Sequence, residues 1–300
     1  MDPGSLEALV PIRIGAGSFA TIYATPGLVQ AQKHASQIEK EFEALHVLYN
    51  RCNSNSIFAI PRTLAFYNPE NNQLRFFPPS PSLRRPREPR ATLRPEDFAG
   101  LPKRASYLMD RAAPLPQAVG EFIRTSFYTE KARMGVPPPL ICRLYFGKEL
   151  RPSAFINPNN FPIDVARYKA MQTQFGETLF TLDEAVEGIG EMLSRVHWIA
   201  GFDARDVEFA MAGSPLVGAV RYYIIDFNQM CPFSKENGQV TELADAFFTN
   251  DPYYPRPVRD DPLYVAFKHA YMQACPEDFR SRASLFLEEI EQRYAASGRG

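Results

Sequence analysis

The sequence has few cysteines, almost no net charge and no long apolar run. Its four cysteines and four histidines are scattered, and none forms a Cys-x-x-Cys or His-x-x-x-His pair. This spacing argues against a structural zinc site, and the sparse cysteines favour a reducing compartment. With a net charge of −1, any contact with nucleic acid needs a local basic patch. Neither an apolar stretch of about 18 residues nor a signal peptide is present, so we expect a cytoplasmic protein that contacts neither membrane nor DNA.

The most informative stretch is acidic. Two short apolar runs, residues 207–211 and 220–225, flank a Gly/Ser/Pro turn and predict a β-hairpin. The open end of this hairpin carries four carboxylates, namely Asp203, Asp206, Glu208 and Asp226. Carboxylates that are held close together need a cation to offset their repulsion, either a metal, an ammonium or a guanidinium. The alternative is a surface hairpin whose acidic side chains are solvated.

A glycine-rich loop is predicted near the N-terminus. The pattern is a strand, a loop that contains Gly15 and Gly17, a second strand, and a third strand that ends at Lys33. Glycines allow the backbone to approach phosphates, although an ordinary hairpin turn has the same composition. Residues 36–50 predict a helix, and Glu41 lies beside its apolar stripe. We expect a Lys33–Glu41 ion pair, with two solvated side chains as the alternative.

A basic segment broken by prolines follows two further predicted strands, at residues 57–67 and 73–77. Its prolines exclude a regular helix or a central strand. We interpret it as a surface that contacts phosphate backbones, and a solvated insertion is the alternative. The arginines assigned to this surface are Arg84, Arg85, Arg87, Arg90 and Arg94.

The second half of the chain contains the clearest helix, at residues 181–200. A capping box of Thr181 and Glu184 begins it, and it leads directly to Asp203. We expect His197, near its end, to be a packed structural histidine rather than a catalytic base. A strand at residues 105–110 runs into a proline-rich connector, so we place the lobe boundary near residue 112. This gives an N-lobe of residues 1–112 with the glycine-rich loop and basic insertion, and a C-lobe of residues 113–300 with the acidic hairpin.

These motifs resemble the catalytic core of the protein kinases. Asp203 and Glu208 have the five-residue spacing of the kinase catalytic Asp and metal-binding Asn, and residues 226–228 read Asp-Phe-Asn where kinases have Asp-Phe-Gly. The resemblance implies an α+β fold with a small β-rich N-lobe and a larger, mainly helical C-lobe. A working kinase would use Mg²⁺ and ATP, with Asp203 as base and Asp226 and Glu208 on the metal. The glycine-rich loop, Lys33 and Glu41 would orient the nucleotide.

The chain also resembles a fungal family of unknown function that was historically labelled a zinc-finger protein. Four stretches carry the resemblance: the glycine-rich loop with Lys33, residues 142–147, residues 203–209 with 226–228, and residues 250–257. This family is linked to the arginine-containing cyclodipeptide synthases, which join amino acids from aminoacyl-tRNAs into cyclo-Arg-Xaa diketopiperazines. Their acidic motif is Asp-Asp-x-x-Glu, whereas the nearest match here is Asp203-x-x-Asp206-x-Glu208.

The second resemblance implies a different chemistry from the first. Aminoacyl-tRNA esters are already activated, so a synthase needs neither ATP nor a metal, and its partners are Arg-tRNA and a second aminoacyl-tRNA. The acidic residues would hold a guanidinium, one of them acting as base, and the basic segment would grip tRNA. We rank the synthase above the kinase because the extra charge of Glu208 repels phosphates and suits a cation. A non-catalytic pseudokinase is the third possibility.

Overall fold

The chain divides into two compact units, seen in a computed structural model. The first unit comprises residues 1–50 and 61–111, and the second comprises residues 51–60 and 112–300. Each unit has its own β-sheet. The described residues are 12–16, 21–25, 28–32, 35–76, 94–98, 101–153, 155–214, 218–250 and 252–298.

The first third of the chain is rich in strands. Its elements in chain order are β1 (Ile12–Ala16), β2 (Thr21–Thr25), β3 (Leu28–Gln32), α1 (Ala35–Cys52), β4 (Phe58–Ala59), β5 (Thr63–Asn68), β6 (Gln73–Arg75), a 3-10 turn (Pro95–Phe98) and β7 (Ser106–Asp110). All of these strands except β4 form one antiparallel sheet with the order β1-β2-β3-β7-β5-β6. The three predicted N-terminal strands and the predicted strand before the connector are therefore present.

Helix α1 packs against the sheet of the first unit through its apolar stripe. Ile38, Phe42, Leu45 and Leu48 are buried, as their helical spacing predicts. The ring of Phe42 lies 5.6 Å from that of Phe66 on β5 and 6.0 Å from that of Tyr107 on β7. These contacts place the helix against strands β5 and β7.

The second unit contains the remaining elements. In chain order they are α2 (Gln117–Phe127), α3 (Glu130–Gly135), β8 (Cys142–Leu144), β9 (Phe161–Ile163), α4 (Val165–Phe175), α5 (Leu182–Ser194), a π-helical segment (Arg195–Ala200), β10 (Glu208–Gly213), β11 (Val220–Ile225), α6 (Val240–Thr249), α7 (Pro262–Ala274), a 3-10 turn (Glu277–Phe279) and α8 (Arg280–Ala296). Its sheet has the order β4-β11-β10-β8-β9. The chain is thus a mixed α+β protein, as the sequence predicts.

One strand prediction needs correction. The sequence predicts a strand over residues 57–67, but β4 pairs in parallel with β11 in the second unit while β5 belongs to the first. Pro61 separates the two strands and has no N–H for a ladder. The backbone N–H of Ile60 instead donates to Asn53 Oδ1 at 2.7 Å. The proline therefore ends one strand and redirects the chain.

Helix α5 is the centre of the second unit. The predicted capping box of Thr181 and Glu184 is present, and the apolar residues of the predicted 181–200 helix are buried except Ile199, which is half-buried. Gly190 faces α7 so closely that a Cβ would collide with the carbonyl oxygen of Phe267. The last turns of the predicted helix are π-helical and end at Gly201, whose φ of 82° lies in the left-handed region. Across the described parts of the chain, no helix is long and apolar enough to cross a membrane.

Candidate functional site

The predicted hairpin is formed by β10 and β11. The strands are antiparallel, and Glu208 at the start of β10 pairs with Ile225 at the end of β11. Asp226 follows immediately, so it lies at the same end of the hairpin as Glu208 and as the loop that precedes β10. The four acidic residues therefore lie at one end of the hairpin, as the sequence predicts.

Asp203 is nearly buried, with 7% of its surface exposed. Its Oδ1 accepts hydrogen bonds from the backbone N–H of Arg205 at 3.0 Å and of Cys231 at 2.9 Å. Its own N–H donates to the carbonyl of Cys231 at 3.0 Å. Its Oδ2 lies 3.5 Å from Nε of the partly exposed Arg205. One carboxylate oxygen is thus fixed by the backbone, while the other contacts a guanidinium.

The backbone around the acidic residues adopts an uncommon conformation. Ala204, Asp206 and Asp226 have φ values of 57°, 60° and 62°. A residue with a Cβ adopts this left-handed region at a cost of roughly 1–2 kcal/mol. Three such residues within one loop and the facing strand end need support from their surroundings. Side-chain amides lie against two of these carboxylates, since Gln229 donates to Asp206 and Asn228 donates to Asp226.

Asn250 provides much of that support, and the sequence did not reveal this role. It is 2% exposed, and its Nδ2 donates to the carbonyls of Ala204 at 2.9 Å and Val207 at 3.0 Å. Its Oδ1 accepts from the backbone N–H of Asp206, and its Nδ2 also contacts the hydroxyl of Tyr254 at 3.2 Å. Residues 250–257 are one of the four stretches that carry the family resemblance. Asn250, Tyr253 and Tyr254 are all buried there.

Glu208 forms an ion pair with Arg143. The Nε and Oε2 atoms lie 2.5 Å apart, and the two side chains are 13% and 16% exposed, Arg143 being the more buried. Arg143 lies on β8, where it pairs with Ala210 of the neighbouring strand β10. Ala210 lies two residues after Glu208 on β10. Burial and the charge of Glu208 raise the pKa of Tyr253, which therefore stays protonated. The charge of Glu208 is thus matched by a guanidinium of the chain itself.

The remaining predicted site residues are placed as follows. Gly15 lies in β1, next to an irregularity in its pairing with β2, and Glu41 is buried in α1. Arg94 is exposed just before the 3-10 turn. Gly17, Lys33, Arg84, Arg85, Arg87 and Arg90 lie outside the described residues. The Lys33–Glu41 pair and most of the basic segment therefore stay predictions.

His197 and Trp198 are buried, with 1% and 0% of their surfaces exposed. Nδ1 of His197 lies 2.8 Å from the hydroxyl of Tyr271. Burial lowers the pKa of His197 to about 3, so its imidazole is neutral near neutral pH. The expectation of a packed, hydrogen-bonded histidine is confirmed.

A family profile with the description "zinc finger protein" matches residues 222–282, about one fifth of the chain. The match runs from β11 through Asp226 and α6 to the start of α8, and it agrees with the historical label of the family that the sequence resembles. No curated protein matches the chain. The matched range therefore links part of the site to a named family and leaves the activity open.

The residues of the matched range do not fit a structural zinc site. Such a site uses four nitrogen or sulfur ligands, commonly in closely spaced pairs. The matched range offers Cys231, His269 and Cys275, and Cys275 is buried while Cys231 is exposed. Within the described parts of the chain, no three His, Cys, Asp or Glu side chains are grouped so that they could hold a metal ion.

Proposed function

We propose that this chain is an aminoacyl-tRNA-dependent cyclodipeptide synthase that makes arginine-containing diketopiperazines in the cytoplasm, on a two-lobed kinase-like fold. The observation that carries the proposal is the ion pair between Glu208 and Arg143. Glu208 stands where a kinase has its metal-binding Asn. A carboxylate that is already matched by a buried guanidinium is a poor ligand for Mg²⁺, which favours chemistry that needs no metal at this position.

The kinase-like part of the proposal is supported by the order of elements in each unit. In the first unit, three antiparallel strands precede helix α1, and β5, β6 and β7 complete the same sheet. In the second unit, a long buried helix leads to Asp203, and a hairpin then carries the chain to Asp226. This is the order in which the kinase resemblance requires the glycine-rich loop, helix, catalytic Asp and second Asp to occur.

Recognition of arginine is supported by the pairs that the acidic residues already make. Glu208 contacts the guanidinium of Arg143 and Asp203 contacts that of Arg205. Carboxylates bind guanidinium groups with strong, directional hydrogen bonds. In the proposed complex, the substrate guanidinium displaces the partly exposed Arg205 and contacts Asp206 and Asp226, which leaves Oδ2 of Asp203 to accept the proton of the attacking amine.

Asp203 is assigned as the base. Its Oδ1 is fixed by two backbone N–H groups, and Oδ2 is directed towards a partly exposed side chain. The α-amine of one aminoacyl-tRNA attacks the ester carbonyl of the other and loses a proton to Asp203. The tRNA of the attacked ester leaves through its ribose 3′-oxygen, which takes a proton, and a dipeptidyl-tRNA remains. The free α-amine of this dipeptide then attacks the remaining ester, loses a proton to the departing 3′-oxygen, closes the ring and releases the second tRNA. Two ester bonds break and two amide bonds form, so ATP is not consumed.

The basic segment that contains Arg84, Arg85, Arg87, Arg90 and Arg94 is assigned to the tRNA. Arginines neutralise phosphates and would hold the acceptor stem irrespective of its sequence. Among these five arginines, Arg94 lies within the residues that the structure describes, and it is exposed.

The proposal is tested with purified protein, Arg-tRNA and the other aminoacyl-tRNAs. We expect a cyclo-Arg-Xaa diketopiperazine by mass spectrometry, with release of uncharged tRNA. Treatment with RNase beforehand, or replacement of the charged tRNA by free arginine and uncharged tRNA, should abolish the product. Hydrolysis of the esters without any cyclic dipeptide would contradict the proposal.

A Mg-ATP-dependent kinase is the second candidate. It is favoured by the five-residue spacing of Asp203 and Glu208 and by the position of Asp226 directly after β11. Binding of Mg-ATP to the native state would raise the melting temperature, so a thermal shift with Mg-ATP and phosphate transfer to a substrate would favour the kinase. Mg-ATP binding without turnover would favour a pseudokinase, for which Asp203→Ala should leave the cellular phenotype unchanged.

A further inference from the structure

Arg205 lies in the turn that carries the candidate base. It stands between Ala204 and Asp206, both of which have a left-handed φ. Its backbone N–H donates to Oδ1 of Asp203 at 3.0 Å, and its guanidinium Nε lies 3.5 Å from Oδ2 of the same carboxylate. The main chain of Arg205 thus fixes one oxygen of Asp203, while its side chain covers the other oxygen, to which the proposed mechanism transfers the proton.

The side chain of Arg205 is held weakly. A charge-assisted N–H···O contact is normally about 2.7–2.9 Å long. The contact of Nε with Asp203 at 3.5 Å and the contact of Nη1 with the hydroxyl of Thr249 at 3.4 Å are both longer than this. Three other arginine ion pairs of the same unit are shorter, with 2.5 Å for Arg143–Glu208, 2.6 Å for Arg293–Glu289 and 2.8 Å for Arg259–Glu291. Arg205 therefore supplies a positive charge to the site without a strong bond to it.

The guanidinium can leave without a change in the backbone. The side chain of Arg205 is 34% exposed, and exposed side chains change rotamer rapidly. The hydrogen bond to Oδ1 of Asp203 comes from the main chain of Arg205, so it does not depend on the side chain. The next peptide N–H, that of Asp206, is held by the buried Asn250. Rotation of the Arg205 side chain therefore carries its charge into water while the turn keeps its shape.

The charges at this end of the hairpin favour an exchange of cations over a simple departure. Carboxylates that lie near one another repel unless a positive charge offsets them. If Arg205 leaves alone, a positive charge is lost from beside Asp203. If it leaves as another guanidinium enters, the net charge of the site is unchanged. The side chain of an arginine substrate is the same chemical group with the same charge, so it is a matched replacement.

We propose that Arg205 is an internal placeholder for the arginine of the substrate. In the free protein its guanidinium offsets the carboxylates and covers Oδ2 of Asp203. Entry of the substrate guanidinium at Asp206 and Asp226 displaces Arg205 and uncovers the base. Asp203 is then exposed to the attacking amine only while an arginine substrate is bound. This inference rests on the proposed function, which supplies that substrate.

A purely structural ion pair would have the opposite effect on binding. If Arg205 served only to stabilise the turn, its replacement would loosen the acidic residues and weaken the binding of a guanidinium ligand. A placeholder competes with the ligand, so its removal strengthens binding. The apparent dissociation constant of a ligand rises as the fraction of protein in the competent state falls. The sign of the change in affinity therefore separates the two roles.

The test is titration calorimetry with arginine methyl ester, which carries the guanidinium and the ester of the substrate without tRNA. We expect Arg205→Gln to bind this probe about 10-fold more tightly than the wild type, as for an open state populated at about 10%. Arg280→Gln, which breaks an exposed pair with Glu277, should bind it as the wild type does. Citrulline methyl ester, which has a neutral urea group in place of the guanidinium, should not bind. Unchanged or weaker binding by Arg205→Gln, or no binding by any of the three proteins, would overturn the inference.

A second arm observes the displacement itself. Arginine labelled with nitrogen-15 gives an Nε–H signal for each side chain by NMR, and the signal that Arg205→Gln lacks belongs to Arg205. Saturation with unlabelled arginine methyl ester should move this signal to the position of a solvated arginine. The signal of Arg280, identified by its absence from Arg280→Gln, should not move. If the probe binds and the signal of Arg205 is unchanged, the gain in affinity reflects charge alone and the proposal is wrong.

These two arms separate the inference from the proposed function. If the probe displaces Arg205 but the wild type forms no diketopiperazine, the proposed function fails and the exchange of guanidinium groups stands. If the wild type forms diketopiperazine but the probe leaves Arg205 in place, the function stands and the inference fails. Where both hold, Arg205→Gln should also lower KM for Arg-tRNA by about 10-fold, because the substrate no longer competes with a side chain of the protein.

Discussion

Asn250 is hydrogen-bonded to both sides of the Asp206 turn. Its Oδ1 accepts from the backbone N–H of Asp206, and its Nδ2 donates to the carbonyls of Ala204 and Val207. A single buried amide therefore stabilises a loop that contains two residues in the left-handed conformation. The acidic residues depend on this amide for their placement although it lies 44 residues from Asp206.

Replacement of Asn250 by alanine should therefore destabilise the protein. The change leaves several buried backbone groups without partners, so we expect a loss of roughly 2–4 kcal/mol in the free energy of unfolding, measured with urea. Product formation by the protein that remains folded should also fall, because the loop that carries Asp203 and Asp206 loses its support. The exposed Asn237 provides the control, and Asn237→Ala should change stability by less than about 0.5 kcal/mol. Similar results for both variants would show that Asn250 does not hold the loop.

The Glu208–Arg143 pair predicts a second stability effect. Glu208→Gln leaves a mostly buried guanidinium without its counter-charge, and we expect a loss of roughly 3 kcal/mol. The double variant Glu208→Leu with Arg143→Met should recover much of this loss, because a buried ion pair can be replaced by apolar groups of similar volume. Glu277→Gln breaks an exposed pair with Arg280 and should have little effect. If Glu208→Gln does not change the free energy of unfolding, Glu208 does not form this ion pair in solution.

Asp203→Asn tests the base with little disturbance of the fold. The amide oxygen of asparagine can accept the same two backbone N–H groups that now donate to Oδ1, so the melting temperature should change little. Diketopiperazine formation should fall by about 10²- to 10⁴-fold, the usual contribution of a general base. Glu236→Gln, at an exposed acidic residue after the hairpin, should keep full activity. Activity of Asp203→Asn close to the wild type would exclude Asp203 as the base.

The pKa of His197 predicts how stability depends on pH. Burial lowers this pKa from 6.5 to about 3, so the unfolded chain binds a proton below about pH 6.5 that the folded chain does not. Stability should therefore be unaffected by this group above pH 6.5 and should fall as the pH decreases towards 3, by up to about 1.4 kcal/mol per pH unit. Urea unfolding of His197→Gln over this range should show a shallower slope. An unchanged slope would mean that His197 is accessible to protons in the folded state.

The close contact between α5 and α7 predicts the effect of a single methyl group. Gly190→Ala places a Cβ against the carbonyl oxygen of Phe267, and we expect a loss of about 1–3 kcal/mol from this overpacking. A Cβ at Gly135, at the end of α3, would meet no atom within 4 Å among the described residues, so Gly135→Ala should be neutral or slightly stabilising. Thermal unfolding of the two variants gives the comparison. If Gly190→Ala leaves the stability unchanged, the two helices can move apart at little cost in free energy.

Parts of the fold could be predicted because local signals agreed with each other. The helix that begins at Leu182 has a capping box and a regular apolar stripe, and both are present. The hairpin of β10 and β11 is indicated by two apolar runs around a turn. Helix α6 is not predicted because Gln239 precedes it without a side-chain cap, so the usual start signal is absent.

The position of β4 could not be predicted from local sequence. Its two residues pair with β11, more than 160 residues away along the chain, and no short-range pattern encodes such a contact. The same limit applies to the site. The sequence indicates which carboxylates stand at the end of the hairpin, but their partners Arg143 and Asn250 come from other elements. Arg143 belongs to an aromatic-rich stretch that predicts a strand, and only the register of β8 against β10 brings it to Glu208.

The central claim is that arginine passes from tRNA into a cyclic dipeptide without ATP or metal. The most direct measurement uses Arg-tRNA charged with isotopically labelled arginine, a second aminoacyl-tRNA, excess unlabelled free arginine, EDTA and no ATP. We predict that the diketopiperazine carries the label and that one tRNA is released for each amino acid incorporated. Label that remains on tRNA or appears only as free arginine, or a product that requires Mg-ATP, would contradict the account.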